Sequence, residues 1–424
     1  MNTLFTNAML LMPDGQIERG CLGVSNQSIA FVGQQPRDFV ADRILDCEDN
    51  LLMPGFVNAH THLPMTLFRS AADDLALQDW LFGHIFPLED QLTEENVYWG
   101  TMLATAEMIR FGVTSINDMY FFSDTIADVL QKSGMRGMVS RAVTSDENGG
   151  GEKRLNEAVA LYEKWNGAAN DRIRVCMAPH AEYTCSDRDL QAVSETARAL
   201  NCRIHVHVSE SFSEHEECKS KHNMTPLQRL DRFGLITSQS MLAHCVQLEL
   251  DDVALVTARN AHILHCPQSN CKLGSGVAPV PLFMAQKINI ALGTDGAASN
   301  NNLDMLEEVR LCALLHKGVT NNPTMVNAQQ ALAMGTRGGA LALGWDAGVL
   351  KKGALADVIL LDAHAPHMLP HHNLAANVAY SALSSDVLMT MIDGEILYER
   401  GEFYTLDMER IESHVLACAE QLHR

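Results

Sequence analysis

The stretch LLMPGFVNAHTH, residues 51–62, is an apolar run that ends in two histidines. An apolar run of strand length is typical of a strand buried on both faces of its sheet. Runs of the same kind recur along the chain, at 112–118, 137–143, 173–179, 202–208, 240–246, 261–266 and 288–294. Amphipathic helical stretches lie between them, such as Glu94–Phe111, Asp124–Ser133, Asn156–Trp165, Asp187–Leu200 and Asp304–His316. Because crossover helices return the chain in the same direction, this pattern predicts parallel strands.

Eight such strand–helix units in about 300 residues have the size of a (β/α)8 TIM-type barrel, which places the chain in the α/β class. A doubly wound open sheet is the alternative, but the nucleotide-binding signatures GxGxxG after the first strand and GxxxxGKS/T are absent. Short strands and turn residues occupy both ends of the chain, including a hairpin around Asp393-Gly394. We expect a small β-sandwich domain built from residues 1–54 and 350–424, and a barrel over residues 55–349.

The composition is that of a globular protein with an acidic balance. Of 424 residues, 47% are hydrophobic and 20% are charged, and the formal net charge is −21. This charge disfavours nucleic acid and anionic membrane as partners. The chain starts as a strand and turn rather than a signal peptide, and no apolar run reaches the ~18 residues of a transmembrane helix. Scattered cysteines without a CxxC pair favour reduced thiols in the cytoplasm. A small-molecule partner fits these features, and a homo-oligomer is compatible with them.

Histidines stand at the ends of most of the predicted strands. In a barrel of this kind the active site lies at the carboxyl ends of the strands, so these positions are candidates for one shared site. The candidates are His60, His62, His180, His207, His244, His265 and, after the last run, Asp295. A single histidine of this kind is more often a packed core residue than a ligand, but the joint pattern argues for chemistry.

The pair His60 and His62 has a geometric reason to act together. Side chains two residues apart on a strand point to the same face, about 7 Å apart, and can reach one metal ion. In a closed barrel the last strand lies beside the first, which brings Asp295 near this pair. His207 on the fifth strand lies nearer the site than His205, which we expect to pack deeper in the barrel. Imidazoles with one carboxylate suit Zn²⁺ or another divalent transition metal.

Glu210 follows His207 by three residues, where the strand turns into a loop. A carboxyl group at this position can face a substrate as a general acid or base. The alternative is a solvated loop glutamate, because Glu214, Glu216 and Glu217 follow closely.

These motifs resemble the amidohydrolase superfamily, and more narrowly the 5′-methylthioadenosine/S-adenosylhomocysteine deaminases. The resemblance covers nearly the whole chain from Pro54 to the C-terminal hairpin, although triazine hydrolases and other aminohydrolases look similar over the same stretches. It rests on His60-x-His62, Asn117-Asp-Met-Tyr-Phe121, His207-x-x-Glu210, Ala243-His244-Cys245, Lys272-Leu-Gly-Ser-Gly276 and Gly293-Thr-Asp295-Gly296-Ala-Ala-Ser-Asn300.

The resemblance implies a role for each matching residue. It implies that one divalent ion, Zn²⁺, is held by His60, His62, His207 and Asp295. It also implies catalytic roles for Glu210, His244 and Asp295, of which Glu210 and Asp295 also face the substrate. Glu89 is then expected to bind the ribose hydroxyls and His180 to contact the substrate. A substrate carboxylate would be bound by Arg141 together with Arg154, or with Lys153 in its place.

The predicted activity is hydrolytic deamination of the adenine ring of 5′-methylthioadenosine or S-adenosylhomocysteine, with adenosine as a further substrate. A single ion is expected because the fourth run ends without the lysine that bridges two metals in binuclear members of the superfamily. Two alternatives stay open. One is another aminohydrolase or chlorohydrolase with a guanine, pterin or triazine substrate. The other, of a different class, is an inactive barrel that serves as a scaffold.

Overall fold

The computed structural model describes residues 1–146 and 150–422. Its strands are β1 Asn2–Leu11, β2 Ile17–Ser25, β3 Ser28–Gly33, β4 Arg43–Asp46, β5 Leu51–Pro54, β6 Phe56–Thr61, β7 Val113–Tyr120, β8 Arg136–Val143, β9 Ile173–Val175, β10 Ala178–Pro179, β11 Ile204–Val208, β12 Ser240–His244, β13 His262–His265, β14 Ile290–Leu292, β15 Val358–Leu361, β16 Val387–Ile392, β17 Glu395–Glu399 and β18 Glu402–Phe403.

The α-helices alternate with the middle strands. They are α1 Leu77–Trp80, α2 Phe86–Glu89, α3 Glu94–Arg110, α4 Ser123–Ser133, α5 Gly150–Trp165, α6 Ala168–Asp171, α7 Asp187–Leu200, α8 Phe212–His222, α9 Pro226–Arg232, α10 Leu250–Arg259, α11 Pro267–Lys272, α12 Val280–Ala285, α13 Ala297–Asn300, α14 Met305–Thr320, α15 Ala328–Ala333, α16 Gly339–Leu343, α17 Leu374–Tyr380 and α18 Met408–Leu422. Short 3₁₀ turns span Leu63–Phe68, Pro366–Met368 and Ser384–Asp386, and π-helical turns span Leu81–Ile85 and Met334–Gly338.

The middle strands form two parallel sheets. One has the order β10-β8-β7-β6, with β9 also paired to β8, and the other has the order β11-β12-β13-β14. Parallel bridges between Met177 and Ile204 and between Ala181 and His207 join the sheets at one side. At the other side, the Asp295 N–H donates to the His60 carbonyl at 2.9 Å. The α/β class predicted from the sequence is therefore confirmed, and the carboxyl ends of both sheets converge on one region.

The first apolar run is not one strand but two. Leu51–Pro54 pairs with β1 and β15, whereas Phe56–Thr61 pairs with β7 in a parallel sheet. Gly55 joins them where a Cβ atom would lie 2.1 Å from the Thr114 side chain, so only glycine fits this crossing. Both halves are fully buried, and for this reason the sequence presents them as one continuous apolar run.

The two ends of the chain share a third sheet. Its order is β18-β17-β16-β15-β5-β1-β2-β3, with β4 paired to β1. The predicted hairpin is present as β16 and β17, and Asp393 and Gly394 both have positive φ angles, as a tight hairpin turn requires. Buried Arg136 of β8 donates to Asp357 at 2.6 Å and to Asp393 at 2.7 Å. This ion-pair cluster attaches the terminal sheet to the parallel strands.

Within the described ranges, no helix combines the length and the apolar character needed to cross a membrane.

Candidate metal centre and substrate pocket

His60 and His62 converge on the carboxylate of Asp295 at the carboxyl edge of the parallel strands. His60 Nε2 lies 3.3 Å and His62 Nε2 lies 3.2 Å from Asp295 Oδ1. His60 lies near the end of β6, His62 directly follows this strand, and Asp295 follows β14. The three residues meet because β14 lies beside β6. His207 of β11 lies at the same point, because its ring centroid is 4.9 Å from that of His60. All the ligands predicted from the sequence therefore lie together.

The outer nitrogen of each imidazole is held by the protein, which leaves Nε2 facing the cluster. His62 Nδ1–H donates to the Met119 carbonyl at 2.6 Å, and His207 Nδ1–H donates to the His180 carbonyl at 2.7 Å. A partner on one ring nitrogen fixes the tautomer, so the other nitrogen carries the lone pair. His60 Nδ1 lies 2.8 Å from His205 Nε2, and buried His60 Nε2 has no hydrogen-bond partner among the described residues.

The donor set fits a divalent cation. The ligating atoms of His60, His62 and Asp295 all lie within 4.8 Å of one another, as do those of His60, His207 and His244. Burial lowers the pKa of His60 to about 4 and that of His207 well below its ordinary value, so both rings are neutral at neutral pH. Neutral imidazoles with an ionised carboxylate are the form that binds a transition metal, so His62, whose pKa Asp295 raises to about 9 against the effect of burial, gives up its proton when the ion binds.

Asp295 is oriented by two serines that the sequence reasoning missed. Ser269 Oγ and Ser299 Oγ each donate to Asp295 Oδ2 at 2.7 Å, which leaves Oδ1 to face the histidines. The backbone of Asp295 has a φ of 63°, a conformation that non-glycine residues rarely adopt and that recurs at functional sites. Ser299 lies in a motif singled out from the sequence, but nothing in the pattern marked Ser269.

Glu210 and His244 form the second part of the site. Glu210 Oε2 lies 3.7 Å from His244 Nε2, and the side chains of both residues are buried. His244 Nδ1–H donates to Asn270 Oδ1 at 2.8 Å, which directs Nε2 toward Glu210. Burial raises the pKa of Glu210, and the buried charge of Asp295 acts in the same direction. A buried carboxyl group with a raised pKa is suited to donate a proton.

The loop that carries Glu210 is fixed by a neighbouring glutamate. The Glu214 carboxylate accepts the backbone N–H of Ser209 at 2.9 Å and that of Glu210 at 2.7 Å. Glu210 is only 8% exposed, so it is not the solvated loop residue of the alternative interpretation. Glu214, a member of the stretch that this alternative treats as solvated, is itself buried.

A pocket opens above the cluster in two parts. A narrow inner cavity of about 70 Å³ is lined by His62, His180, His207, Glu210, His244, Asp295 and Glu89, together with aromatic residues. An outer cleft of about 1230 Å³ shares Glu89, Phe86, Phe121, Thr144 and Tyr183 with it. Glu89 thus stands at the junction of the two parts, and burial raises its pKa to about 7.

The predicted carboxylate-binding residues line the outer cleft and not the inner cavity. Arg141 Nε donates to Glu157 Oε2 at 2.8 Å, and its guanidinium lies over the Phe121 ring at 5.3 Å. Arg154 donates to the Thr144 carbonyl at 2.7 Å and to Asp146 at 2.9 Å. Lys153 is 3.9 Å from Glu157 and largely exposed. Residues 147–149 of this loop lie outside the described residues.

The sequence profile of the amidohydrolase family matches residues 51–397, so the chain belongs to the amidohydrolase family. A protein of Moorella thermoacetica named 5-methylthioadenosine/S-adenosylhomocysteine deaminase is 42% identical over 404 residues, covering 94% of each chain. Another protein of that name, from Acetivibrio thermocellus, is 40% identical and covers 100% of both chains. Both relatives carry the name of the deaminase family that the sequence motifs resemble, so that resemblance is confirmed.

One solved structure is similar to this chain in both fold and sequence. An adenosine deaminase from Xanthomonas campestris, crystallised with bound zinc, has a TM-score of 0.95 and 33% identity, and the match covers 99% of this chain and 98% of that one.

Proposed function

We propose that the protein removes the 6-amino group of 5′-methylthioadenosine or S-adenosylhomocysteine, and of adenosine as a further substrate, by hydrolysis. The observation that carries this proposal is the buried Glu210–His244 pair beside the histidine–aspartate cluster at the base of a two-part pocket. An inner cavity for a base and an outer cleft for the rest of the molecule suit a nucleoside with a long 5′ substituent. The names of the relatives support the same substrates.

We propose that one Zn²⁺ ion is held by His60, His62, His207 and Asp295. A solved relative that is 33% identical contains zinc, which supports this assignment. When bound, such an ion lowers the pKa of water towards neutrality and thereby supplies a hydroxide nucleophile. A ring nitrogen of His244 lies within 4.8 Å of those of His60 and His207. Because His244 Nε2 also faces Glu210, we assign His244 to proton transfer and not to the metal.

The chain's own residues then carry the proton transfers. Glu210, whose pKa is raised by its burial, donates its proton to N1 of the adenine ring. His244 and Asp295 accept the proton of the attacking water as its oxygen bonds to C6. The same groups return that proton to the amine, the C6–N bond breaks and ammonia leaves. The remaining proton on the C6 oxygen passes to Glu210, which restores its acid form. Water and the adenine nucleoside are thereby converted to the inosine-type nucleoside and ammonia.

Recognition of the rest of the substrate is assigned to the pocket walls. Glu89 lies where the inner cavity meets the outer cleft, and we assign it to the ribose of a substrate whose base is held at Glu210. His180 lines the inner cavity and is assigned to the base and sugar. Arg141 and Arg154 line the outer cleft, where an amino-acid carboxylate of S-adenosylhomocysteine would lie. Lys153 is the alternative to Arg154.

Within the same proposal, residues 55–349 form a closed (β/α)8 barrel, and residues 1–54 and 350–424 form a small composite β domain. The contacts between the two parallel sheets at both sides support closure. The sandwich form of the terminal domain stays a prediction, as do a cytoplasmic location, a homo-oligomer and the absence of nucleic-acid and membrane partners.

A substrate panel tests the function. Ammonia release is measured on methylthioadenosine, S-adenosylhomocysteine, adenosine, guanine, a pterin and a chlorotriazine, with chloride release measured on the last. We expect turnover of the adenine nucleosides and little of the others. Preferential turnover of guanine, pterin or triazine would replace the proposal with that activity. No turnover of any substrate by the zinc-loaded protein would favour the scaffold alternative.

The two serines that orient Asp295 lead to a prediction about metal affinity. Replacing Ser269 or Ser299 with alanine removes one hydrogen bond from Asp295 Oδ2, so the carboxylate is less well aimed at the cluster. Loss of such supporting partners typically lowers metal affinity or activity by about 10–100-fold. Competition with a zinc chelator measures the affinity, and Ser213→Ala on α8 is the control. Unchanged zinc affinity in both variants would contradict the supporting role.

Arg141 leads to a prediction about specificity. A guanidinium binds a carboxylate with charge-assisted hydrogen bonds worth roughly 1.5–3 kcal/mol. Arg141→Met is therefore expected to lower kcat/KM for S-adenosylhomocysteine by about 10–150-fold at 1.36 kcal/mol per tenfold. Activity on methylthioadenosine, which lacks the carboxylate, stays within a few-fold. Arg154→Met is expected to have the same selective effect, with a lower kcat/KM for S-adenosylhomocysteine and little change for methylthioadenosine. Steady-state kinetics on both nucleosides measures the split.

Glu157 supplies the control for this prediction. In the free protein its carboxylate occupies Arg141, so Glu157→Gln frees the guanidinium and is expected to improve kcat/KM for S-adenosylhomocysteine. If Arg141 only fixes α5 to β8 through Glu157, both variants lose thermal stability and lose activity equally on the two nucleosides. That result would remove Arg141 from carboxylate recognition.

A further inference from the structure

A second cluster of metal-ligating side chains lies outside the pocket. His265 is the last residue of β13, and Cys312 and His316 stand one turn apart on α14, facing it. One nitrogen of each histidine and the Cys312 Sγ all lie within 4.8 Å of one another. The three side chains are buried, with exposures of 0%, 0% and 1%. None of them lines the inner cavity or the outer cleft.

The polar atoms of this cluster lack partners. Neither nitrogen of His265, nor Nε2 of His316, has a hydrogen bond within the described part of the chain. A neutral imidazole always carries one N–H donor and one acceptor, and buried polar groups almost always find partners. Cys312 Sγ lies 3.9 Å from the thioether sulfur of Met334, a further soft donor. The protein alone leaves this site unsatisfied, so a bound species is needed to satisfy it.

We propose that His265, Cys312 and His316 bind a second Zn²⁺ ion, separate from the pocket, which fixes α14 to β13. Two imidazoles, a thiolate and a nearby thioether form a soft donor set of the kind that zinc accepts. Tetrahedral bonds of about 2.0–2.3 Å place ligand atoms about 3.3–3.8 Å apart, so the cluster contracts by only about 1 Å on binding.

The protonation of the three groups is compatible with this site. Burial lowers the pKa of His316 to about 4 and that of His265 well below its ordinary value, so both rings have a free lone pair at neutral pH. Burial raises the pKa of the Cys312 thiol to about 12, so binding of the ion releases the thiol proton. Zinc uptake at this site is therefore favoured by higher pH.

The position of α14 gives the second ion a consequence for the pocket. Glu308 on this helix accepts the Asn300 side-chain N–H at 2.7 Å and the Gln268 backbone N–H at 3.2 Å. Asn300 and Gln268 flank Ser299 and Ser269, the two residues that orient Asp295. The second ion therefore stabilises the support of the catalytic aspartate without contacting the substrate.

Cobalt substitution distinguishes this ion from the one in the pocket. The proposed ligands in the pocket include no cysteine, so thiolate-to-cobalt charge-transfer absorption reports only on the second site. The full-length protein loaded with Co²⁺ is compared with Cys312→Ala and His316→Gln. Cys418→Ala, a buried cysteine on α18, is the matched control.

The proposal predicts two equivalents of metal in the wild-type protein and in Cys418→Ala, with thiolate absorption. It predicts one equivalent and a loss of that absorption in Cys312→Ala, and one equivalent with weakened absorption in His316→Gln. Both variants should keep deaminase activity within a few-fold and melt at a lower temperature than the zinc-loaded wild type. One equivalent without thiolate absorption in the wild type would overturn the proposal and leave a buried water as the occupant. The absorption is read without substrate, so failure of the proposed activity does not affect the outcome.

Discussion

Replacing Asp295 with alanine is expected to abolish deaminase activity and to strip the metal ion from the pocket. The carboxylate lies within 3.3 Å of both His60 Nε2 and His62 Nε2, and its other oxygen is already used by two serines. Without it, a cation would face neutral imidazoles with no balancing charge, and the attacking water would lose a proton acceptor. We expect kcat/KM to fall by more than about 10⁴-fold, beyond the 10²–10⁴-fold of one proton-transfer group.

Metal content by mass spectrometry and ammonia release measure this outcome together. His62→Ala should behave in the same way, because His62 shares Oδ1 of Asp295. Asp252→Ala is the matched control. Asp252 is also buried, but it lies on α10 and its carboxylate accepts a hydrogen bond from the Thr225 hydroxyl. Full activity of Asp295→Ala with stoichiometric metal in the pocket would refute the assigned ligands.

Replacing Glu210 with glutamine is expected to lower kcat by about 10²–10⁴-fold while the metal stays bound. The amide keeps the shape of the side chain but has no acidic proton to give to the ring nitrogen. Attack at C6 removes the aromaticity of the ring and needs that proton, so the chemical step is affected more than binding. Because Glu210 is not an assigned metal ligand, metal content and KM should change little.

Single-turnover kinetics separates this chemical effect from product release. Glu216→Gln, an exposed neighbour on α8, is the control and should be fully active. A Glu210→Gln variant that keeps more than a tenth of the wild-type kcat would assign the ring proton to another group, for which His244 is the next candidate.

The parallel strands and their histidines could be predicted from the sequence because each strand needs an apolar run and the carboxyl ends of parallel strands meet. The pair His60 and His62, spaced by two, therefore indicates a shared face from the sequence alone. The apolar pattern did not show that the run contains two strands separated by Gly55, since a strand of the terminal sheet and a strand of the parallel sheet are both buried on both faces. Apolar pattern reports burial and not the sheet to which a strand belongs.

The supporting residues were harder to predict, since they depend on approach between distant segments. Ser269 reaches Asp295 only because α11 and the loop after β14 lie side by side. Glu157 meets Arg141 across a helix and a strand, and residues of both types are common on protein surfaces. The cluster of His265, Cys312 and His316 joins residues about fifty positions apart, with no short motif to mark it. Such contacts follow from tertiary packing and not from local pattern.

The two neighbours of β5 are synthesised at very different times. Leu51–Pro54 pairs with β1 on one side but receives its second neighbour only from β15, Val358–Leu361, about 300 residues later. At a ribosomal rate of about 5–20 residues per second, this edge stays open for roughly 15–60 s. All four of its residues are buried in the finished protein, so an apolar strand with free backbone groups is exposed throughout that time. Synthesis of this protein therefore includes a long interval in which a chaperone has a defined segment to protect.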